Sequence, residues 1–414
     1  MSEWKEQIIG ELVSFTKGKL TKQSEFSIDG FLPLINTDAI NGNPTSYAES
    51  NGAVVCDKSD VLMLWDGERS GLVSIDNSGV VGSTFAKLRT VDFIDSKFLF
   101  YFLNNKFAWI QNQRTGTGVP HVPKNLDKIL LIKYPTYKPT QRKIALILST
   151  VDEVIKNTQA TIAKHKAIKQ GMLHDLFTRG INPATGKLRP TYESAPELYK
   201  ESKLGWIPKE WEDCKMGKYI LENLYGPRFN ARDYSENGNV KTIRGTDFTK
   251  EGEILYEQTP KALLPNGLIK IHKLRDGDVV IVTTADCGLA AIFKKPINDV
   301  DFIPSAYSVK YRFAKNINPH FIKYFMATDS AIRQVNKFVR QGTLGNLPGS
   351  DVLRFEMIYP DSDEQIEIAN RLKTIDEKIQ TEQNYLHKLQ QIKAGLMTDL
   401  LSGKNQVTVE EENK

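Results

Sequence analysis

The sequence predicts a mixed α/β (α+β) protein. Two repeated domains are separated by two long helices that pair as an antiparallel coiled coil about a pseudo-twofold axis. Three observations carry this. First, Gln141–Thr178 aligns on Gln365–Ser402 without a gap and with fifteen identities in 38 positions, among them Gln141/Gln365, Asp152/Asp376, Lys169/Lys393 and Gly171/Gly395. Second, both segments carry an apolar seam at alternating steps of four and three. It starts Ile144, Leu148, Val151, Ile155 in one and Ile368, Leu372, Ile375, Ile379 in the other, the heptad grid of a coiled coil. Third, the flanking regions echo each other in order with a drifting spacing: Trp4 and Trp211, Asp60-Val61 and Asp278-Val279, Tyr134-Pro135 and Tyr359-Pro360. Order kept while spacing shifts means one scaffold written twice, with longer loops in the second copy.

Residues 1–138 form the first domain. Short strands such as Val61–Trp65 and Ile129–Tyr134 accompany a helix over Lys97–Gln113 whose Phe98, Tyr101 and Phe102 read as core. The central helix, 139–180, opens at Pro139 and closes at Gly180. At 1.5 Å per residue, 38 residues span roughly 57 Å, and a lone helix of that length would expose its seam, so the two helices are expected to pair. Thr158 and Glu382 sit mid-seam and Lys169 and Lys393 near its end. Such polar positions either fix register or face water or a partner. Residues 181–204, with Pro183, Pro190 and Pro196, read as a connector. The second domain, 205–360, has strands over Asp278–Val282, Ser308–Phe313 and Phe355–Tyr359 and a helix over Pro319–Val339. The distal helix, 361–404, begins where Ser362-Asp363-Glu364-Gln365 fits a capping box. A polar tail, 405–414, follows and is expected to be mobile.

Composition narrows the function classes. With 414 residues, 40% hydrophobic and 25% charged, the chain has material for two or three folded cores. It has no apolar run near the ~18 residues of a membrane span, and Met1–Gly10 lacks a signal-peptide core. Three distant cysteines, Cys56, Cys214 and Cys287, argue against a disulfide framework or a zinc knuckle. A soluble cytoplasmic protein is expected. The net charge of +5 is uneven: residues 1–138 carry fifteen Lys/Arg against fifteen Asp/Glu, whereas 181–360 carry twenty-six against twenty-one. The basic middle suits a polyanion partner, but charge alone does not establish one.

Catalytic signatures are missing. Gly18-Lys19, Gly186-Lys187 and Gly217-Lys218 lack the upstream glycine and following hydroxyl of a phosphate loop. None of Asn43-Pro44-Thr45, Asn182-Pro183-Ala184 or Asn318-Pro319-His320 makes the Asn-Pro-Pro-aromatic element of an amino-methyltransferase. Pro360-Asp361 is not followed by the carboxylate–lysine pair of a common nuclease core. The six histidines have no metal-ligand spacing. No catalytic residue and no metal ligand is assigned.

The doubled layout resembles the specificity (S, HsdS-type) subunit of type I restriction–modification enzymes over essentially the whole chain. Two local motifs join it: Leu204-Gly205-Trp206-Ile207-Pro208 followed by Trp211, and Pro360-Asp361-Ser362-Asp363-Glu364-Gln365 before the distal helix. The first copy departs, with Thr140-Gln141 in place of Glu-Gln. The resemblance implies two target-recognition domains that each read half of a split duplex-DNA site. It also implies a helical pair that binds two methylation (M) subunits, with restriction/motor (R) subunits completing the enzyme. S-adenosylmethionine, ATP and Mg are then expected on those partners and no cofactor on this chain. Two other readings remain at this stage: a divergent DNA methyltransferase or nuclease with its own active site, and a coiled-coil adaptor that does not bind DNA.

Residues common to both copies cannot distinguish two half-sites, so they are candidates for phosphate contact. These are Arg114 and Thr117 in Arg114-Thr115-Gly116-Thr117, matched by Arg340 and Thr343 in Arg340-Gln341-Gly342-Thr343. Arg333 and Lys337 are further phosphate candidates, because they form a helical stripe with Arg340 at i, i+4, i+7. Candidate base readers lie where the copies differ: Arg69, Ser70 and His121 in the first domain; Arg228, Asn230, Arg232, Thr283, Thr284 and Asn346 in the second. Arg suits guanine and Asn suits adenine in the major groove.

Overall fold

The computed structural model describes residues 3–42, 46–116, 118–297 and 299–409. Asn43-Pro44-Thr45, Thr117 and the acidic end of the tail, 410–414, lie outside the described residues. The chain divides into two compact units: one runs to Ala160 and resumes at Gln383, the other is Thr161–Glu382. The long helices, Lys138–Thr178 and Ser362–Ser402, each pass from one unit to the other near their midpoint.

In the first unit Trp4–Ile8 pairs antiparallel with Leu131–Pro135, closing the domain just before the helix begins. A four-stranded sheet has the order Val13–Lys17, Phe85–Thr90, Val61–Leu64, Val73–Ser74. Val61–Leu64 is buried along its whole length, which explains its unbroken apolar run. A second, five-stranded sheet holds a parallel pair, Phe31–Ile35 with Gly79–Val81.

The second unit repeats this plan. Glu212–Lys215 pairs with Glu356–Tyr359. The four-stranded sheet runs Ile220–Tyr225, Ser308–Phe313, Val279–Val282, Ala290–Ile292, with Val279–Val282 again fully buried. The parallel pair is Val240–Ile243 with Asp301–Pro304. The expected helix over 97–113 breaks at Lys106 into Ser96–Asn105 and Phe107–Asn112. That over 319–339 breaks into Pro319–Met326 and Asp329–Phe338, because Thr328 accepts from the Ala331 N–H and starts a new helix. The connector is more ordered than its composition suggested: Ile181–Asn182 pairs with Lys187–Leu188, and Tyr199–Ser202 with Gly205–Pro208.

A repeated glutamine welds each helix to its domain. The Gln141 amide donates to the carbonyls of Pro135 and Phe93, and its oxygen accepts from Asp95 N–H at 2.8 Å. Gln365 donates to the Pro360 carbonyl and accepts from Asn318 N–H at 2.9 Å. Both are buried, and each satisfies backbone groups that would otherwise be stranded.

Within each unit one helix start meets the other helix's end. In the first, Ile144, Ala145 and Leu148 share a core with Leu400 and Leu401, while Lys393 reaches Asp152 at 2.5 Å. In the second, Leu173, Leu176 and Phe177 pack with Ile368, Ala369 and Leu372, and Lys169 reaches Asp376 at 2.6 Å. One number rises as the other falls, so the segments run antiparallel. The seam lysines are therefore register pins. Each lies over an aromatic ring, Tyr101 or Tyr324, whose hydroxyl donates to the same aspartate at 2.8 or 2.9 Å. Burial and the adjoining carboxylate push both phenols well above the ordinary tyrosine range.

The capping box expected at Ser362–Gln365 is replaced. Asp361 accepts from Glu364 N–H as the cap, and the Glu364 carboxylate is used elsewhere. Buried, it takes the Arg189 guanidinium at 2.5 and 3.0 Å, the Trp211 indole N–H at 2.9 Å and the Ile181 N–H at 2.6 Å. Gly180 sits in the left-handed region (φ 62°) directly under the Trp211 ring, where a Cβ would overlap the indole.

Candidate nucleic-acid interface

In each unit the fully buried central strand of the four-stranded sheet runs out into a loop that bridges to a second loop. In the first unit the Val122 N–H donates to the Trp65 carbonyl at 2.9 Å and the Gly67 N–H to the Pro120 carbonyl at 2.8 Å, with backbone bridges Asp66–His121 and Thr115–His121. In the second the Leu347 N–H donates to the Thr283 carbonyl at 2.8 Å and the Ala285 N–H to the Gly345 carbonyl at 3.1 Å, with bridges Thr284–Asn346 and Arg340–Asn346. Bond for bond this is the same construction. Gly67 and Ala285, at matching positions, both adopt positive φ. Asp66 therefore matches Thr284, and His121 matches Asn346.

This register corrects one reading of the sequence. Arg340 matches Thr115 rather than Arg114, so the two arginines come from adjacent positions. Their surroundings differ accordingly. Arg114 is half-buried and donates to the carbonyls of Gln111 (2.8 Å) and Glu68 (2.6 Å), tying the Asp66–Ser70 loop to the end of helix Phe107–Asn112. These bonds make it a clamp for the loop, with Nε and one Nη committed to carbonyls. Arg340 is 74% exposed, with Asp351 3.9 Å away. Thr343 is exposed beside it; Thr117 lies outside the described residues. Arg333 and Lys337 are exposed on the helix Asp329–Phe338, whereas Arg340 lies beyond its end. Arg333 lines a cavity of about 250 Å³ with Gln170, His174 and Asp329, and Lys337 lies over Phe338.

Two base-reading candidates drop out on burial. Ser70 is fully buried, its hydroxyl without a partner, and Thr283 is buried with its hydroxyl donating to the Tyr307 carbonyl at 2.9 Å. Arg69, Arg228 and Arg232 are exposed and have no side-chain partner among the described residues. Asn230 is exposed but engaged, forming a capping box with Asp233. His121 lies at the bridged loops of the first unit, and Thr284 and Asn346 face each other at those of the second. His121 Nδ1 lies 2.7 Å from Asp66 Oδ1, and Asp66 also holds Lys17 at 2.8 Å. Thr284 donates to Asn346 Oδ1 at 3.5 Å. The sequence did not mark Asp66 or Lys17, although Asp66 lies only three residues before Arg69. Each second loop also exposes an apolar tip, Val119 at 56% and Leu344 at 61%. Among the described residues no group of three or more His, Cys, Asp or Glu could hold a metal, and no helix is long and apolar enough to cross a membrane.

A twice-built α/β reader with unlike loops on like scaffolds defines a recognition protein, and comparison with known proteins assigns its kind. The family model for the type I restriction modification DNA specificity domain matches residues 1–166 and 208–392. The chain belongs to that family. It is 27% identical over 415 aligned positions to the type I restriction enzyme MjaVIII specificity subunit of Methanocaldococcus jannaschii, covering 98% of this chain and 93% of that one. Its fold is similar to the crystal structure of the S subunit of a type I restriction–modification system from M. genitalium (TM-score 0.58, 16% identity, 96% of each chain). A chain from a structure of type I system assembly and conformational transition is also similar (TM-score 0.55, 15% identity, 96% of this chain and 97% of that one). This is a DNA-recognition and scaffolding subunit of a type I restriction–modification complex, not its catalytic component.

Proposed function

We propose that the chain reads a bipartite, asymmetric duplex-DNA site, one half-site per domain, with domains at 1–138 and 205–360. Its helices carry two methylation subunits, to which restriction/motor subunits add. S-adenosylmethionine, ATP and Mg belong to those partners, and the complex works in the cytoplasm. The observation that carries this reading is the matching pair of bridged loops: identical backbone bonding, different side chains. A shared scaffold gives both domains one way of meeting a duplex, and unlike heads at the same place give unlike half-sites. Arg340 and Thr343, with Lys337 nearby, are placed as phosphate contacts. Arg69 and His121 in the first domain and Arg228, Arg232, Thr284 and Asn346 in the second are placed as base readers. Mapping methylated bases in DNA exposed to the complex tests the reading. A two-part motif with unlike halves and strongly salt-dependent duplex binding are expected. A single undivided motif, or binding indifferent to salt, counts against it.

A further inference from the structure

The bridged loops allow a sharper statement about what one domain selects. Asp66 and His121 are directly opposed across a backbone bridge, and the carboxylate lies 2.7 Å from imidazole Nδ1. An ionised carboxylate only accepts, so Nδ1 carries the proton and, in the neutral ring, Nε2 is left as a lone-pair acceptor. The ring is 46% exposed while Asp66 is only 17% exposed, so the held nitrogen is sheltered and the ring keeps an open side. Lys17, at the end of the edge strand Val13–Lys17, meets the other Asp66 oxygen at 2.8 Å. Beside them Val119 offers an exposed apolar surface.

We propose that Asp66 is a positioning residue that locks His121 into its acceptor tautomer, and that His121 thereby selects a base bearing an exocyclic amine, adenine or cytosine, at one position of the first domain's half-site. This rests on the reading that the bridged loops face DNA. In the major groove adenine N6 and cytosine N4 donate, whereas guanine presents O6 and N7 and thymine O4, which an acceptor nitrogen repels. The matching pair in the second domain, Thr284 and Asn346, places a different head at the same backbone position. The two domains thus carry one reading position with two chemistries.

The test uses the complex assembled with its methylation partners on a library of duplexes, scored by which sites become methylated. In Asp66→Asn the side-chain amide donates to Nδ1, which moves the ring proton to Nε2. The preference at that one position should turn from adenine or cytosine toward guanine, by about tenfold, and the other half-site should not change. Lys17→Met removes the second partner of Asp66 but leaves the tautomer, and should keep the wild-type motif. His121→Ala should flatten preference at the same position. If Asp66→Asn and His121→Ala methylate with the wild-type motif, the inference is overturned. A motif change in Lys17→Met equal to that in Asp66→Asn overturns it as well, because a merely structural loosening then suffices. Wild-type methylation with no sequence preference in the library sinks the proposed function instead, a distinguishable result.

Discussion

The two units build the same joint with different chemistry. Where each long helix leaves its domain, a buried glutamine fixes the backbone in both, but the preceding residue differs: Thr140 in the first and Glu364 in the second, both buried. In the second unit a connector must also be fastened, and Arg189 from that connector meets Glu364, with Trp211 adding a third bond. In the first unit the matching tryptophan, Trp4, packs on Gly403 and under Lys133. Repetition preserved the part that orients the helix. The ion pair stands where the connector is fastened.

The largest expected effect breaks that added part. Glu364→Ala leaves the Arg189 guanidinium buried without its main counter-charge, at a cost of about 3–5 kcal/mol. Thr140→Ala should cost about 1 kcal/mol or less. Urea unfolding of the two variants, with hydrogen exchange to locate the loss, checks the contrast; equal effects refute it. Next come Gln141→Ala and Gln365→Ala, each stranding buried backbone groups and each expected to cost about 1–3 kcal/mol. Here the units should behave alike, and a difference beyond about 1 kcal/mol would show that the shared joint is not shared energetically. The register pins follow. Lys169→Met removes a pair exposed by only 13% and 20%, and should destabilise by about 1.5–3 kcal/mol. Lys393→Met, in a pair exposed by 27% and 34%, should cost less.

The smallest contrast is with pH. In the second unit a hydrogen bond from Lys310 holds Glu222 below the usual carboxylate range, and one from Lys273 does so for Asp301. A depressed folded-state pKa means a contribution fully present above the unfolded value and lost as pH falls through the folded one. In the first unit Asp57 is lowered chiefly by its bond from Ser59, at an exposed site. Acidification below about pH 4 should therefore open amides of the second unit ahead of the first. Exchange measured down the pH scale gives the order, and earlier opening of the first unit contradicts the account.

Much of the architecture was legible because it depends on period and on repetition. The heptad seam, the buried runs Val61–Leu64 and Val279–Val282 and the doubled tyrosine–proline strand ends are local patterns. The register pins were half visible. Tyr101 and Tyr324, Asp152 and Asp376, Lys169 and Lys393 all recur, but Lys169 pairs with the aspartate of the other copy, and sequence order hides that crossing. The connector's hairpins escaped notice because two-residue strands such as Ile181–Asn182 have no period to detect. At the candidate interface, residue type misled where burial decided. Ser70 and Thr283 look like readers until they are found inside the fold, and Arg114 commits two of its nitrogens to carbonyls of its own domain. The alignment of Arg114 with Arg340 was one residue out, because a shared glycine–threonine pair outweighed a register that only backbone bonds reveal.

The crossing of the helices has a consequence for how the molecule is made. The second unit is one uninterrupted stretch and can condense as it leaves the ribosome. The first cannot: Leu400 and Leu401, almost wholly enclosed in its core, are translated long after its strands. The first domain must wait, with an open apolar flank, for residues translated after the whole of the second unit. The usual order of vectorial folding is thereby reversed.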